Sequence, residues 1–353
     1  MPSSPWGNRR SRLRWAYGES QATAGEVTEM STDYFLGIDV GNTKLAFGLV
    51  EGNARVFCEK RIVATEPQLG VDQALEKILT YAGKLIEVAP GSVAGIGIAF
   101  GGFVDVTRTI GLSSPNFPGL KNIHMVEMIR QLAPGIPVSM DNDANVAGVG
   151  EAMYGKARGY HEAVYLTIST GIGGAVLFDG KPLAGSQGLA AEFGHMIVQP
   201  GGPQCTCGSQ GCLEAIASGT SIARIARERA RGRDSLINEL ASRPEEITAG
   251  IVCQAAQRGD DLAGAIMEEV AFYLGIGLAN IISALDPDIV VLGGGVMNSA
   301  DILLPPAIQL VERHLTVRGA QVPPIEASDI HDDVALWGAM ALARSAAESS
   351  ESG

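Results

Sequence analysis

The sequence has little that would tie it to a membrane, a nucleic acid or an oxidising compartment. No apolar run reaches the ~20 residues that cross a bilayer. The longest apolar helical stretch, Gly264 to Leu285, carries Glu268, Glu269 and Asn280 and reads as a buried core helix. Residues 1 to 30 hold Arg9, Arg10, Arg12 and Arg14, but no apolar segment follows, so they do not make a signal peptide. They read as a disordered tail with Met30 a candidate start, and the expected location is cytoplasmic. Cysteine is scarce, five in 353 residues, which excludes a disulfide-built scaffold. Basic surface is scarce as well. A formal charge of −13 is spread along the chain, so no nucleic-acid or membrane partner is expected, and any phosphate ligand must be held by local features.

What is present is a globular composition, 46% apolar, with 45 glycines suited to tight turns and close backbone approaches. At roughly 150 residues per domain, this length implies two domains and a cleft between them. The first ordered segment, Tyr34 to Val50, reads as two strands joined by the polar turn Asp39-Val-Gly-Asn-Thr-Lys44. A second copy follows at Val164 to Phe178 around Ser169-Thr-Gly-Ile-Gly-Gly174, which implies an internal duplication with the two turns facing one another. Between the copies come a helix (Val71 to Val88), a strand (Val93 to Ala99), a loop (Phe100 to Leu120), a helix (His124 to Leu132) and a strand (Pro137 to Met140). After the second copy come a cysteine-rich loop, helices from Ser221 to Leu285, the strand Asp288 to Leu292 and a last helix, Asp333 to Ala347. This succession is α/β. The expected domains are 31–145 with the terminal helix 331–348, and 146–330.

Each glycine turn frees backbone N–H groups for phosphate oxygens. One such turn is ordinary, but two copies and a third cluster after a buried strand read together as a nucleotide cradle. Asp39, Gly41, Asn42, Thr43 and Lys44, with Thr170, Gly171, Gly173 and Gly174, are assigned to the phosphates. Gly293, Gly294 and Gly295 are assigned to adenosine, and Asp39 to Mg²⁺. Asp141-Asn-Asp-Ala-Asn145 puts carboxylates and amides at a strand end, where one can take a proton from a hydroxyl while another caps the following helix. His195-x9-Cys205-x-Cys207-x4-Cys212 offers three thiolates and an imidazole, the donor set of a closed structural zinc site. Cys58 and Cys253 stand apart. Glu192, His195, Glu214 and Asn116 offer groups suited to vicinal hydroxyls.

From about Phe35 to Ala347 the chain resembles the ROK family (repressors, open reading frames and kinases) of the actin-like ATPase superfamily. The motifs that carry the likeness are Asp39-Val-Gly-Asn-Thr-Lys44, Asn142-Asp-Ala-Asn145, Thr170-Gly-Ile-Gly-Gly174, Glu192-Phe-Gly-His195 and Cys205-Thr-Cys-Gly-Ser-Gln-Gly-Cys212-Leu-Glu214. The resemblance implies a two-domain actin-like (ribonuclease H-like) fold with a nucleotide and sugar cleft, ATP as donor, and a homodimer. It implies Asp143 as general base, sugar contacts from Asn116, Asn142, Asp143, Glu192, His195 and Glu214, and zinc on His195, Cys205, Cys207 and Cys212. Gly101-Gly-Phe-Val-Asp105 resembles the sugar-side loop of the family's glucokinases, which adds Gly102. Repressor members carry an N-terminal winged helix-turn-helix that residues 1 to 30 are too few to supply. The expected activity is ATP-dependent phosphorylation of a hexose, glucose first. The alternatives are an N-acetylhexosamine kinase (N-acetylmannosamine or N-acetylglucosamine), a non-catalytic sugar-sensing regulator and, disfavoured by the zinc loop, an actin-like structural ATPase.

Overall fold

The computed structural model describes residues 33 to 351, save 115, 116, 118, 317, 318 and 320. The tail expected over residues 1 to 30, and Asn116, lie outside the described residues. Strand β1 (Tyr34–Val40) is buried along its whole length, apolar but for Asp39 near its end, as suits a strand in a sheet covered on both faces. It turns at Gly41 into the antiparallel β2 (Lys44–Glu51), which pairs with β3 (Glu59–Ala64) at the edge. Helix α1 (Val71–Val88) buries Ala74, Ile78, Ala82 and Leu85, an i, i+4 stripe, and leads to β4 (Val93–Phe100), parallel to β1.

The stretch Phe100 to Leu120, read as a loop, contains β5 (Phe103–Val104) and β6 (Gly111–Ser113), which form a small antiparallel sheet with β7 (Lys121–Ile123) just beyond it. Its strands are two or three residues long, too short for an alternating pattern to register. Helix α2 (Met125–Leu132) and β8 (Val138–Asn142), parallel to β4, complete the first sheet.

Helix α3 (Asp143–Tyr154) carries the chain to a second sheet of β9 (Glu162–Ile168), β10 (Ile172–Phe178) and β11 (Lys181–Pro182). Helices α4 (Glu214–Ala217), α5 (Gly219–Ala230), α6 (Leu236–Leu240), α7 (Ala249–Gln257) and α8 (Asp261–Leu285) follow. Then come β12 (Ile289–Gly293), α9 (Ala300–Thr316), β13 (Ile325–Ala327) and α10 (Val334–Glu351). Among the described residues α8 alone is long and apolar enough to cross a bilayer. Its apolar window is 61% buried, and it packs on α7 and α9.

The two sheets have the same topology. The first runs β3-β2-β1-β4-β8 and the second β11-β10-β9-β12-β13. In each, a leading strand pairs antiparallel with the next one along the chain and parallel with the fourth. The repeat seen in the two glycine turns is therefore a repeat of whole sheets.

Helix α10 packs on β4 and β1, and α3 packs on both α10 and the second sheet. The contact is backbone on backbone. A Cβ on Gly97 would lie 1.8 Å from the Ala339 carbonyl oxygen, and one on Gly338 would lie 1.8 Å from that of Val146. Only glycine permits either approach.

Candidate active site

The β8–α3 corner is the centre of the site. Asn142 is the N-cap of α3, and its Oδ1 accepts from the backbone N–H groups of Ala144 (3.0 Å) and Asn145 (3.4 Å). Its Nδ2 donates to the Gly102 carbonyl at 2.9 Å. The asparagine that the resemblance assigns to sugar thus joins the sugar-side loop to the helix start. Asp143 follows in the first helical turn and accepts from Ala144 N–H at 2.9 Å. Burial pushes its carboxyl up to about 6, the Ala144 N–H opposes this, and the Glu192 charge adds to it. Asp39, at the end of β1, is pushed up to about 7, first by burial and then by the Asp143 charge, with Lys44 opposing. Asp39 is buried, Asp143 is half-buried, and the charge of Asp143 raises Asp39, so the site is short of positive charge, and this fits a bound cation on Asp39.

The first turn of α3 lies between the two duplicated turns. A Cβ on Gly101 would meet Val40 O at 2.7 Å, Gly41 Cα at 3.6 Å and Asp143 Oδ2 at 3.7 Å. On the other side, one on Gly173 would meet Ala144 Cβ at 3.0 Å. The first turn is closed by Gly41 N–H donating to Lys44 O (3.1 Å) and held by Thr65 Oγ1 donating to Gly41 O (2.7 Å). Ser114 Oγ, just after β6, lies 2.7 Å from Gly101 O and 2.8 Å from Asn42 Oδ1, with one proton to donate between them. Lys44 Nζ donates to the Asp332 carbonyl at 3.3 Å. In the second turn Thr170 O accepts from Thr220 Oγ1 at 2.8 Å, which seats the turn on the start of α5.

Most glycines of the second and third clusters have a packing reason. A Cβ on Gly171 would strike Glu214 Oε2, one on Gly174 the Phe193 ring, and one on Gly293 the Tyr165 hydroxyl. Gly294 adopts φ +89, and Gly295 faces open space.

The zinc-type donors are assembled. One ligand atom from each of His195, Cys205, Cys207 and Cys212 lies within 4.8 Å of all the others. The Cys207 and Cys212 sulfurs are 3.7 Å apart, and Cys205 Sγ is 3.7 Å from His195 Nδ1. Zn–S bonds of ~2.3 Å at a tetrahedral angle require S···S of ~3.8 Å, so the set fits that ion. A backbone N–H from Ser209 pulls the Cys207 thiol down to about 7, while burial and the neighbouring sulfurs push Cys212 up. His195 turns Nδ1 to the thiols and keeps Nε2 3.9 Å from the Glu192 carboxylate. Glu192 is raised chiefly by burial, lowered by His195 and raised by Glu214, so these three groups converge. Glu214 Oε2 accepts from Ile172 N–H at 2.9 Å, which ties the cysteine loop to the second turn.

Sequence reasoning gave no role to Asp332, Asp333 or Arg108. Asp333 pairs with Lys60 and adds to the charge around Asp39. Arg108 Nε lies 3.2 Å from Asp141 Oδ2. These partners are distant in sequence, 288 residues for Lys44 and Asp332, and no local pattern marks them.

The model of the ROK family matches residues 35–346. Glucokinase from Thermotoga maritima is 34% identical over 309 residues, 87% of this chain and 96% of that protein. The ROK hexokinase from Thermus thermophilus superposes with a TM-score of 0.76 at 32% identity, covering 91% of this chain and 100% of that one. The ROK glucokinase from Streptomyces griseus, solved with glucose and AMPPNP, gives 0.77 at 32% identity, covering 88% and 99%. The shared architecture is the two-domain actin-like kinase fold. With the family's model spanning nearly all of the described residues and the duplicated sheets matching its solved members, this chain belongs to the ROK family.

Proposed function

We propose that this chain is an ATP-dependent sugar kinase that phosphorylates glucose, with Asp143 as general base. The observation that carries the reading is the position of Asp143. It is a half-buried carboxylate raised to about 6, set between the two duplicated turns and beside the corner where Asn142 meets Gly102. A base near neutrality is the useful kind, and proton transfer of this sort contributes typically ~10²–10⁴ in rate. The likeness to glucokinases over nearly the whole chain supports glucose as acceptor.

In this reading Gly102, Asn116, Asn142, Glu192, His195 and Glu214 orient the sugar, and Asp143 takes the proton of its 6-hydroxyl. The freed oxygen attacks the γ-phosphorus of ATP in line, the bond to the β-phosphate oxygen breaks, and ADP leaves. Asn42, Thr43, Lys44, Thr170 and the backbone N–H groups of both turns neutralise the phosphoryl charge, while Gly293 to Gly295 border adenosine. When bound, Mg²⁺ supplies further charge neutralisation, and Asp39 is the residue that would hold it. His195, Cys205, Cys207 and Cys212 would hold zinc, which fixes the segment between Glu192 and Glu214 without touching the reacting atoms. Segments 31–145 with 331–348, and 146–330, act as the two closing bodies, and the enzyme works as a cytoplasmic homodimer.

A coupled ADP-release assay with ATP and Mg²⁺ across glucose, mannose, fructose, N-acetylglucosamine and N-acetylmannosamine tests the reading. Turnover should be fastest with glucose. A preference for an N-acetylated sugar would reassign the acceptor, and zinc-loaded protein that binds sugar without any turnover would make it a sensor.

A further inference from the structure

The β8–α3 corner is clamped from two sides by one hairpin. On one side lies the Asn142–Gly102 hydrogen bond. On the other, the tip between β5 and β6 reaches back to Asp141, the last residue but one of β8. Asp141 is 2% exposed. Its Oδ1 accepts from Asn142 N–H (2.8 Å) and from Asn145 Nδ2 (3.2 Å), bridging the strand end and the first turn of α3 across Asp143. Its Oδ2 has no hydrogen-bond donor, and neither has the Oδ1 of Asn145, which is 7% exposed. Both residues line a cavity of about 70 Å³ together with Val104, Arg108, Gly185 and Gly188. The cation set against that buried carboxylate is Arg108, with Nε at 3.2 Å from Oδ2.

The tip is built to hold Arg108 in place. Arg108 adopts φ +56, a left-handed conformation unusual for a side chain of its size. Its N–H donates to Asp105 O at 2.9 Å. The Asp105 carboxylate accepts from the N–H groups of Thr107 (3.1 Å), Thr109 (2.8 Å) and Ile110 (2.7 Å). Burial, the largest single influence, pushes that acid up, but the Thr107 hydroxyl and these N–H groups together outweigh it and hold it down at about 2. A loop wound this tightly around one carboxylate is a rigid mount for the guanidinium. A buried charge without a partner is strongly unfavourable, so the corner depends on that mount.

We propose that Arg108 is a positioning residue for phosphoryl transfer, acting through Asp141 to hold the corner that delivers Asp143. The proposal rests on Asp143 as base. It requires that loss of Arg108 impair the chemical step more than sugar binding, and only while Asp141 carries its charge.

The test is a double-mutant cycle on the full chain in the glucose assay, using Arg108→Met, Asp141→Asn and the pair, with Asp143→Asn alongside. Arg108→Met should lower kcat about tenfold with the glucose KM within about threefold, because the lost interaction serves the transition state. In the Asp141→Asn background the same change should lower kcat less than about twofold, since coupled neighbours are not additive. Arg108→Lys, which keeps the charge, should recover much of the loss. If Arg108→Met does not fold, Arg108→Lys is compared in the two backgrounds and should lower kcat in the native one alone. Wild-type kcat in Arg108→Met, or an equal fall in both backgrounds, overturns the proposal. An active Asp143→Asn enzyme instead overturns the base assignment beneath it, so the two failures are distinguishable.

Discussion

The carboxylate of Glu214 accepts a hydrogen bond from the backbone N–H of Ile172 at 2.9 Å, and this one contact joins the cysteine loop to the second glycine turn. Glu214 stands two residues after Cys212, whose side chain is fully buried. In the proposed reading, the cysteine loop therefore reaches the nucleotide side of the cleft as well as the sugar side. Stripping zinc with a chelator should raise the KM for ATP together with that for glucose and lower the melting temperature, because structural zinc contributes folding energy. Metal analysis with paired titrations checks this. A rise confined to glucose would mean that Glu214 does not transmit the loop's order to the turn.

The pH dependence follows from Asp143. Its carboxyl is raised by burial to about 6, against an ordinary value of ~3.9 for aspartate. In the proposed reading Asp143 acts as the carboxylate, so its protonation on lowering the pH should abolish activity. The kcat/KM for glucose, which reports the free enzyme, should be level above pH ~7 and fall about tenfold per unit below pH ~6. A profile that stays level down to pH ~4 would contradict Asp143 as a base with a raised carboxyl.

The packing of α10 gives a stability test. A methyl group on Gly97 would lie 1.8 Å from a main-chain oxygen, which no rotamer change relieves. Gly97→Ala should lose more than about 3 kcal/mol in denaturant unfolding, or fail to give soluble protein, as overpacking against backbone does. A variant within about 1 kcal/mol of the native chain would mean that α10 can slide on β4.

What the sequence displayed and what it hid divide along sequence distance. The hairpins around Gly41 and Gly171 were legible because strand, turn and strand lie within eighteen residues. His195 and the three cysteines were legible because ligand spacing is itself a local signal. Helix α9 was not, since Pro305 and Pro306 lie inside it. Proline there removes main-chain donors, and burial of Leu303, Leu304, Ala307 and Val311 overrides the local penalty. Edge strands β3 and β13 escaped notice for want of an apolar pattern, the one with no buried residue and the other three residues long. The glycines at 171, 173 and 174 were read as a phosphate cradle, yet each also makes room for a neighbouring side chain, which no turn pattern distinguishes. Contacts such as Arg108 with Asp141 need the fold before they exist.

The most direct test of the account compares Asp143→Asn with the native chain in two measurements on the same zinc-loaded preparations, glucose binding by calorimetry and glucose-dependent ADP release. Asn keeps the shape of the side chain and one acceptor oxygen but cannot take the proton. The account predicts a glucose Kd within about threefold of the native value and a kcat lower by at least ~10². A variant that turns over at more than a tenth of the native rate would contradict it.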